Sequence, residues 1–127
     1  MDIKKGLRYS KDHEWVDLQG SIAYVGITDY AQHSLGSIVF VELPQMGKVL
    51  SAGDVLTVVE SVKAASDVYT PVSGRIAEIN QDLEQSPQNL NDEPYKSWIA
   101  GIETNGSLLP DNLMDEDDYE AYCKQEA

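Results

Sequence analysis

The amine of Lys63 has the most distinctive chemical setting in this sequence. It lies in the octapeptide ESVKAASD, residues 60–67. Residues 55–60 before it are rich in β-branched side chains, and residues 67–72 after it alternate in hydropathy as a half-buried strand does. The pattern therefore predicts a β-hairpin with Lys63 at its tip.

The predicted tip lacks the residues that normally favour a tight hairpin turn. It contains neither Asn-Gly nor Asp-Gly, and it places Val62 where turn chemistry favours a polar or flexible side chain. We infer that a requirement other than folding selected these residues, and that the tip is a functional site.

Two glycine turns frame the lysine. Gly53 precedes Lys63 by ten residues and Gly74 follows it by eleven. This spacing predicts a hairpin flanked by two further bends, which is typical of a small β-sandwich or flattened barrel with approximate two-fold symmetry.

The octapeptide and its surroundings resemble a known family. ESVKAASD, with VGITDYA upstream and PVSGRIAEIN downstream, is similar to the lipoyl-bearing H proteins of the glycine cleavage system, within the biotinyl/lipoyl-attachment superfamily. The blocks HEW, LGSIVFVELP and NDEPY extend the resemblance over roughly residues 7–126. It implies a mainly β, lipoyl-domain-like flattened barrel with short helices and a C-terminal helix.

The resemblance also implies the modification of Lys63. In the family the matching lysine carries lipoic acid through an amide, which would place the reactive sulfurs roughly 14 Å from the Cα atom of Lys63. We expect an enzyme that attaches the lipoyl group, a ligase or transferase, to recognise the flanking residues Glu60, Ser61, Val62 and Ala64. A biotin carrier would have methionines beside the lysine, where this chain has Val62 and Ala64.

The implied function is that of a carrier and not of an enzyme. A pyridoxal-phosphate glycine decarboxylase would load an aminomethyl group onto the arm, and a tetrahydrofolate-dependent aminomethyltransferase would remove it. Dihydrolipoamide dehydrogenase would then reoxidise the dithiol. The alternative is a lipoyl relay protein, which donates its lipoyl group to other lipoyl domains.

Two carboxylates match family positions beside the arm. Because a protonated amine cannot expel the neighbouring thiolate, carboxylates near the loaded group would protect it. We therefore expect Glu14 and Asp67 to belong to a cleft that holds the arm.

Composition restricts the partners and the compartment. Nine basic and 22 acidic residues give a net charge of −13, which argues against nucleic acids and anionic membranes and favours partners with basic surfaces. The charge also favours a monomer. Without an apolar spanning segment or secretory signal, we expect a cytoplasmic protein, or a mitochondrial one if the chain is a processed eukaryotic form.

The remaining pattern predicts one domain over residues 1–127, with a core at about 7–103 and a helical tail at about 108–126.

Residues 15–18 and 21–25 are predicted to form a hairpin, and residues 30–35 a short helix between Thr28 and Gly36. The apolar run at 38–41 predicts a fully buried strand, and residues 80–95 a loop with one helical turn. Trp15, Trp98 and Cys123 are interpreted as packing residues.

Overall fold

The computed structural model describes residues 2–106 and 109–126. Nine strands and four helices follow one another along these residues. In chain order they are β1 (Arg8–Tyr9), β2 (Glu14–Gln19), β3 (Ile22–Ile27), α1 (Asp29–Leu35), β4 (Ile38–Val41), β5 (Val49–Leu50), β6 (Val55–Ser61), β7 (Ala65–Tyr69), β8 (Gly74–Ile79), α2 (Asp82–Gln85), α3 (Asn89–Asp92), β9 (Ala100–Glu103) and α4 (Glu116–Glu126).

The strands form two antiparallel sheets. The larger sheet has the order β1-β2-β3-β9-β8-β5, and the smaller has the order β4-β6-β7. Apolar side chains from both sheets, among them Val25, Val59, Ile76 and Ile102, are buried in one shared core. The predicted fold class, a mainly β barrel or sandwich with short helices and a C-terminal helix, is confirmed.

A second, aromatic cluster holds α4 against the larger sheet. Tyr119 on α4 stacks on Tyr9 with the ring centroids 4.5 Å apart, and Cys123 is buried in the same cluster. Backbone hydrogen bonds between Tyr9 and Met114, in both directions, pair β1 with the segment that leads into α4. Cys123 is therefore a packing residue, as predicted.

Local sequence signals placed the first hairpin and helix correctly. Strands β2 and β3 meet at a turn in which Gly20 has a φ of 63°, a conformation that glycine adopts without steric cost. The side chain of Thr28 accepts a hydrogen bond from the Ala31 N–H at the start of α1, and Gly36 ends the helix with a φ of 79°.

Two predictions about local structure were wrong. The run at 38–41 is a strand, β4, but Val39 and Phe40 are 55% and 49% exposed. The reason is that β4 is an edge strand of the smaller sheet, with an irregular register between Ile38 and Phe40 and one face open to solvent. Residues 80–95 contain two short helices, α2 and α3, instead of one turn.

Within the described residues, the helices are too short and too polar to cross a lipid bilayer.

Candidate functional site

Lys63 lies at the tip of the hairpin formed by β6 and β7, and side-chain hydrogen bonds close this tip. The Ser61 N–H donates to the Ala64 carbonyl at 2.8 Å, and the Ser61 hydroxyl accepts from the N–H groups of Lys63 and Ala64, each at 3.2 Å. A serine hydroxyl can thus stabilise a turn that has no glycine or asparagine. Val62 is 69% exposed, as predicted.

The segment between α1 and β4 supports the lysine, and we call residues 34–38 the lysine seat. The Nζ atom of Lys63 donates to the Ser34 carbonyl at 2.9 Å, and the Val62 N–H donates to the Ser37 carbonyl at 3.0 Å. A Cβ atom at Gly36 would lie only 3.2 Å from Cε of Lys63. Gly36 therefore ends α1 and also leaves room for the lysine side chain.

Asn91 on α3 holds the lysine seat in place. Its Nδ2 atom donates to the Gly36 carbonyl at 2.8 Å and to Oε1 of Gln32 at 2.9 Å, while its Oδ1 atom accepts from the Ile38 N–H at 2.8 Å. These bonds hold Gly36 and Ile38, the residues on either side of Ser37. The Ser37 carbonyl in turn accepts the hydrogen bond from Val62 at the hairpin tip. A short helix from a distant part of the sequence therefore fixes the support of Lys63.

We predict that Asn91→Ala lowers the free energy of unfolding by about 2 kcal/mol, because it leaves the half-buried Ile38 N–H and Gly36 carbonyl without their partner. Urea unfolding measures this change. Asn89→Ala on the same helix is the control, since the Asn89 side chain makes no hydrogen bond within the described residues. Equal losses in the two variants would contradict the assigned role of Asn91.

Glu14 is a buried carboxyl that links the two sheets. It begins β2 in the larger sheet and is 2% exposed. Its Oε1 atom accepts from the Ser10 hydroxyl at 2.6 Å, and its Oε2 atom accepts from the N–H of Tyr69, on edge strand β7 of the smaller sheet, at 3.1 Å. Burial raises the pKa of Glu14 to about 7, and the hydrogen bond from Ser10 opposes this shift.

A cleft of about 210 Å³ lies beside Glu14, and Ser10, Tyr69, Thr70 and Asn112 contribute to its wall. Strand β7 connects this cleft with the hairpin tip. At about 3.3 Å per residue, the strand spans roughly 13 Å between Ala65 and Tyr69. Lys63 lies two residues before Ala65, so the path from Lys63 to Tyr69 is roughly 20 Å, and a flexible arm of roughly 14 Å on Lys63 extends along β7 to about Asp67, in the direction of Glu14.

The structure arranges the other predicted site residues around this hairpin. Glu60 is exposed at the end of β6 and pairs with Ala65 on β7. Asp67 is exposed on β7, between the tip and the cleft, and its carboxylate makes no hydrogen bond within the described part of the chain. Trp15 is buried and donates to the Pro94 carbonyl at 3.0 Å, which confirms its packing role.

Sequence reasoning missed four residues that shape the site. They are Ser10, Ser34, Asn91 and Gly36, which was expected only to end the helix and not to leave space for the Lys63 side chain. Ser10 lies only four residues before Glu14, so this contact is local and a serine hydroxyl was a candidate partner. Asn91 contacts residues 53 to 59 positions away, and no local pattern could have indicated this.

A lysine at the tip of a hairpin on a small two-sheet barrel defines the lipoyl-domain class of β fold. The family model for the glycine cleavage H-protein matches residues 7–126. The chain belongs to this family.

Individual relatives agree with this assignment. The glycine cleavage system H protein of Thermoanaerobacter sp. (strain X514) is 56% identical over 126 residues, which cover 99% of this chain and 100% of that protein. A probable glycine cleavage system H protein of Pyrococcus furiosus is 50% identical, with 96% and 90% covered. The crystal structure of a glycine cleavage system H protein from Mycobacterium marinum superposes with a TM-score of 0.84 at 33% identity, with 98% of each chain covered.

Proposed function

We propose that this protein is the lipoyl carrier of the glycine cleavage system, with Lys63 as the attachment site. The observation that carries the proposal is the exposed amine at the hairpin tip, in a chain of the glycine cleavage H-protein family. On this proposal the protein moves the aminomethyl group of glycine from the decarboxylase to the aminomethyltransferase. It acts as a single-domain, monomeric substrate of its partner enzymes.

The surroundings of Lys63 fit an amide-linked group. In the attachment step the neutral Nζ atom attacks the carbonyl carbon of an activated acyl donor such as an acyl adenylate. The C–N bond forms, the bond to the leaving group breaks, and Nζ releases a proton to solvent. The amide keeps one N–H, which can donate to the Ser34 carbonyl as the amine does now. Gly36 leaves space at Cε in either form.

When bound, the lipoyl group supplies thiol–disulfide exchange and a carbon-carrying sulfur. The protein's own residues present and orient it. Glu60, Ser61, Val62 and Ala64 form the surface beside the amine that the attaching ligase or transferase recognises. Ser61 has a second function, because its hydroxyl fixes the backbone on either side of Lys63.

Glu14 and Asp67 are proposed to hold the protonated amine of the loaded arm. Asp67 lies on β7 within the length of the arm, and Glu14 is buried beside the cleft at the far end of that strand. An ammonium group in this low-dielectric site would favour the ionised form of Glu14. The amine would in turn stay protonated and unable to expel the neighbouring thiolate.

We predict that Glu14→Gln and Asp67→Asn each shorten the lifetime of the aminomethyl-loaded protein several-fold, with the larger effect for Glu14 because it is less screened by water. The lifetime is measured by mass spectrometry after the partner enzymes are removed. Glu84→Gln, an exposed change on α2, serves as the control. Unchanged lifetimes in both variants would show that Glu14 and Asp67 do not protect the loaded arm.

Intact-mass measurement tests the proposed function. The protein is incubated with a lipoate ligase, lipoate and ATP, and we expect one lipoyl group per chain. The modified protein is then mixed with an unmodified lipoyl domain and the enzymes of lipoyl transfer. Transfer to that domain without loading by the decarboxylase would replace glycine cleavage by lipoyl relay as the function.

A further inference from the structure

One face of the smaller sheet points away from the core, and most of its side chains are exposed to solvent. Strand pairing aligns Phe40 with Glu60, and Glu60 with Ala65. The next row, Val41 with Val59, is buried in the core. Because successive side chains alternate between the two faces of a sheet, the first row points outward.

The row after the buried one points outward as well. The Glu42 N–H donates to the Val58 carbonyl at 2.9 Å, and Val58 pairs with Asp67. Two outward rows, separated by a buried one, thus form a continuous surface next to the hairpin tip. We call it the outer face, and its residues are Phe40, Glu42, Val58, Glu60, Ala65 and Asp67.

The outer face combines an exposed aromatic ring with negative charge. Phe40 is 49% exposed, although a phenylalanine side chain gains more from burial than most residues. Three of the other five residues are acidic, and strands β4, β6 and β7 contain no lysine or arginine. Two basic residues adjoin the face, Lys63 at the tip and Lys48, which lines a pocket with Glu42 and Val58, but the face itself is acidic. The complement of an exposed aromatic ring flanked by acidic residues is an apolar pocket edged by basic residues.

We propose that the outer face is the docking surface for the enzyme that acylates Lys63, an acyltransferring enzyme with an apolar pocket for Phe40 and a basic rim. This inference rests on the proposed function. The bond forms at Nζ, about 6 Å from the Cα atom of Lys63, so that the enzyme must cover the residues around the tip. Strand β4 runs directly from the lysine seat, which places Phe40 beside that approach.

The enzymes that act on the arm have a weaker requirement for this face. Their reacting atoms would lie at the sulfurs, roughly 14 Å from the protein backbone, and can be contacted without covering the tip. The distance between the reacting atom and the protein surface therefore favours the acylating enzyme as the partner.

The test measures the steady-state kinetics of lipoylation with a lipoate ligase, lipoate and ATP, and with the protein as the varied substrate. Phe40→Ala is expected to raise KM about tenfold with little change in kcat, since the ring contributes to docking and not to the chemical step. Phe40→Tyr keeps the ring and should restore KM. Leu18→Ala is the matched control, because Leu18 is 43% exposed on β2 of the other sheet.

A charge reversal tests the basic rim. Glu42→Lys should raise KM at low ionic strength and reduce the dependence of kcat/KM on salt, whereas Glu120→Lys on α4, with the same change in net charge, should do neither. Urea unfolding midpoints and sedimentation confirm that the variants are folded and show their oligomeric state.

The outcomes separate this inference from the proposed function. If the wild-type protein accepts no lipoyl group, both fail. If the wild type is modified but Phe40→Ala and Leu18→Ala have the same KM, only the docking surface is wrong. If Phe40→Ala dissociates a wild-type dimer and leaves KM unchanged, the outer face serves self-association and the proposal is overturned.

Discussion

Replacing Lys63 by alanine will abolish lipoylation, with no modified protein detectable in the intact mass after exhaustive incubation with ligase, lipoate and ATP. The reason is chemical, because the amide requires the Nζ nucleophile and the lysine seat presents this amine beside the Ser34 carbonyl. Lys63→Arg should fail as completely. Arginine keeps the positive charge, but its guanidinium stays protonated and is a poor nucleophile at neutral pH.

Lys124 provides the control for this prediction. It is also an exposed lysine, located on α4 and far along the sequence from the hairpin tip. Lys124→Ala should be lipoylated at the wild-type rate. Full modification of Lys63→Ala would mean that another amine carries the group, and the assignment of the site would be wrong.

Glu14 should make the stability of the protein depend on pH in an interval where ordinary carboxylates do not titrate. Its pKa rises from the usual 4.5 to about 7 in the folded protein because of burial. Between these values the folded state keeps a proton that the unfolded state has released. The contribution of protonated Glu14 to the stability of the fold is therefore fully present below pH 4.5. As the pH rises from 4.5 to about 7, the free energy of unfolding falls by about 3 kcal/mol in total.

Urea unfolding at about pH 4.5 and about pH 7.5 measures this effect by comparison with Glu14→Gln. Glutamine has a similar volume and can still accept from the Tyr69 N–H, but it does not titrate. The wild type should therefore lose about 3 kcal/mol more than the variant between the two pH values. The other acidic residues affect both proteins and cancel. An equal loss in the two would show that Glu14 titrates normally.

The part of the site that depends on neighbouring residues could be predicted from the sequence. The octapeptide and its β-branched flanks indicated a hairpin tip at Lys63 and an exposed Val62, and Thr28 and Gly36 indicated the limits of α1. Each of these features is determined within a few residues, by strand alternation or by helix capping. For this reason the hairpin and the helix that supports it were predicted at nearly their observed positions.

The rest depends on contacts between distant segments. The run at 38–41 has the composition of a buried strand, yet Phe40 is exposed because it lies on the outward face of the smaller sheet, whereas Val41 faces the core. Glu14 meets the Tyr69 N–H across 55 residues, and Asn91 meets the Ile38 N–H across 53. Hydrophobic periodicity carries no information about sheet order, so these contacts had to come from the three-dimensional structure.

The most direct test of the central claim follows the glycine carbon onto the protein. Lipoylated protein is incubated with the decarboxylase, pyridoxal phosphate and isotopically labelled glycine, and the peptide that contains Lys63 is examined by mass spectrometry. We predict one labelled aminomethyl group on this peptide, which disappears when the aminomethyltransferase and tetrahydrofolate are added. A lipoylated peptide that never acquires the label, under conditions where the decarboxylase loads another H protein, would contradict the account.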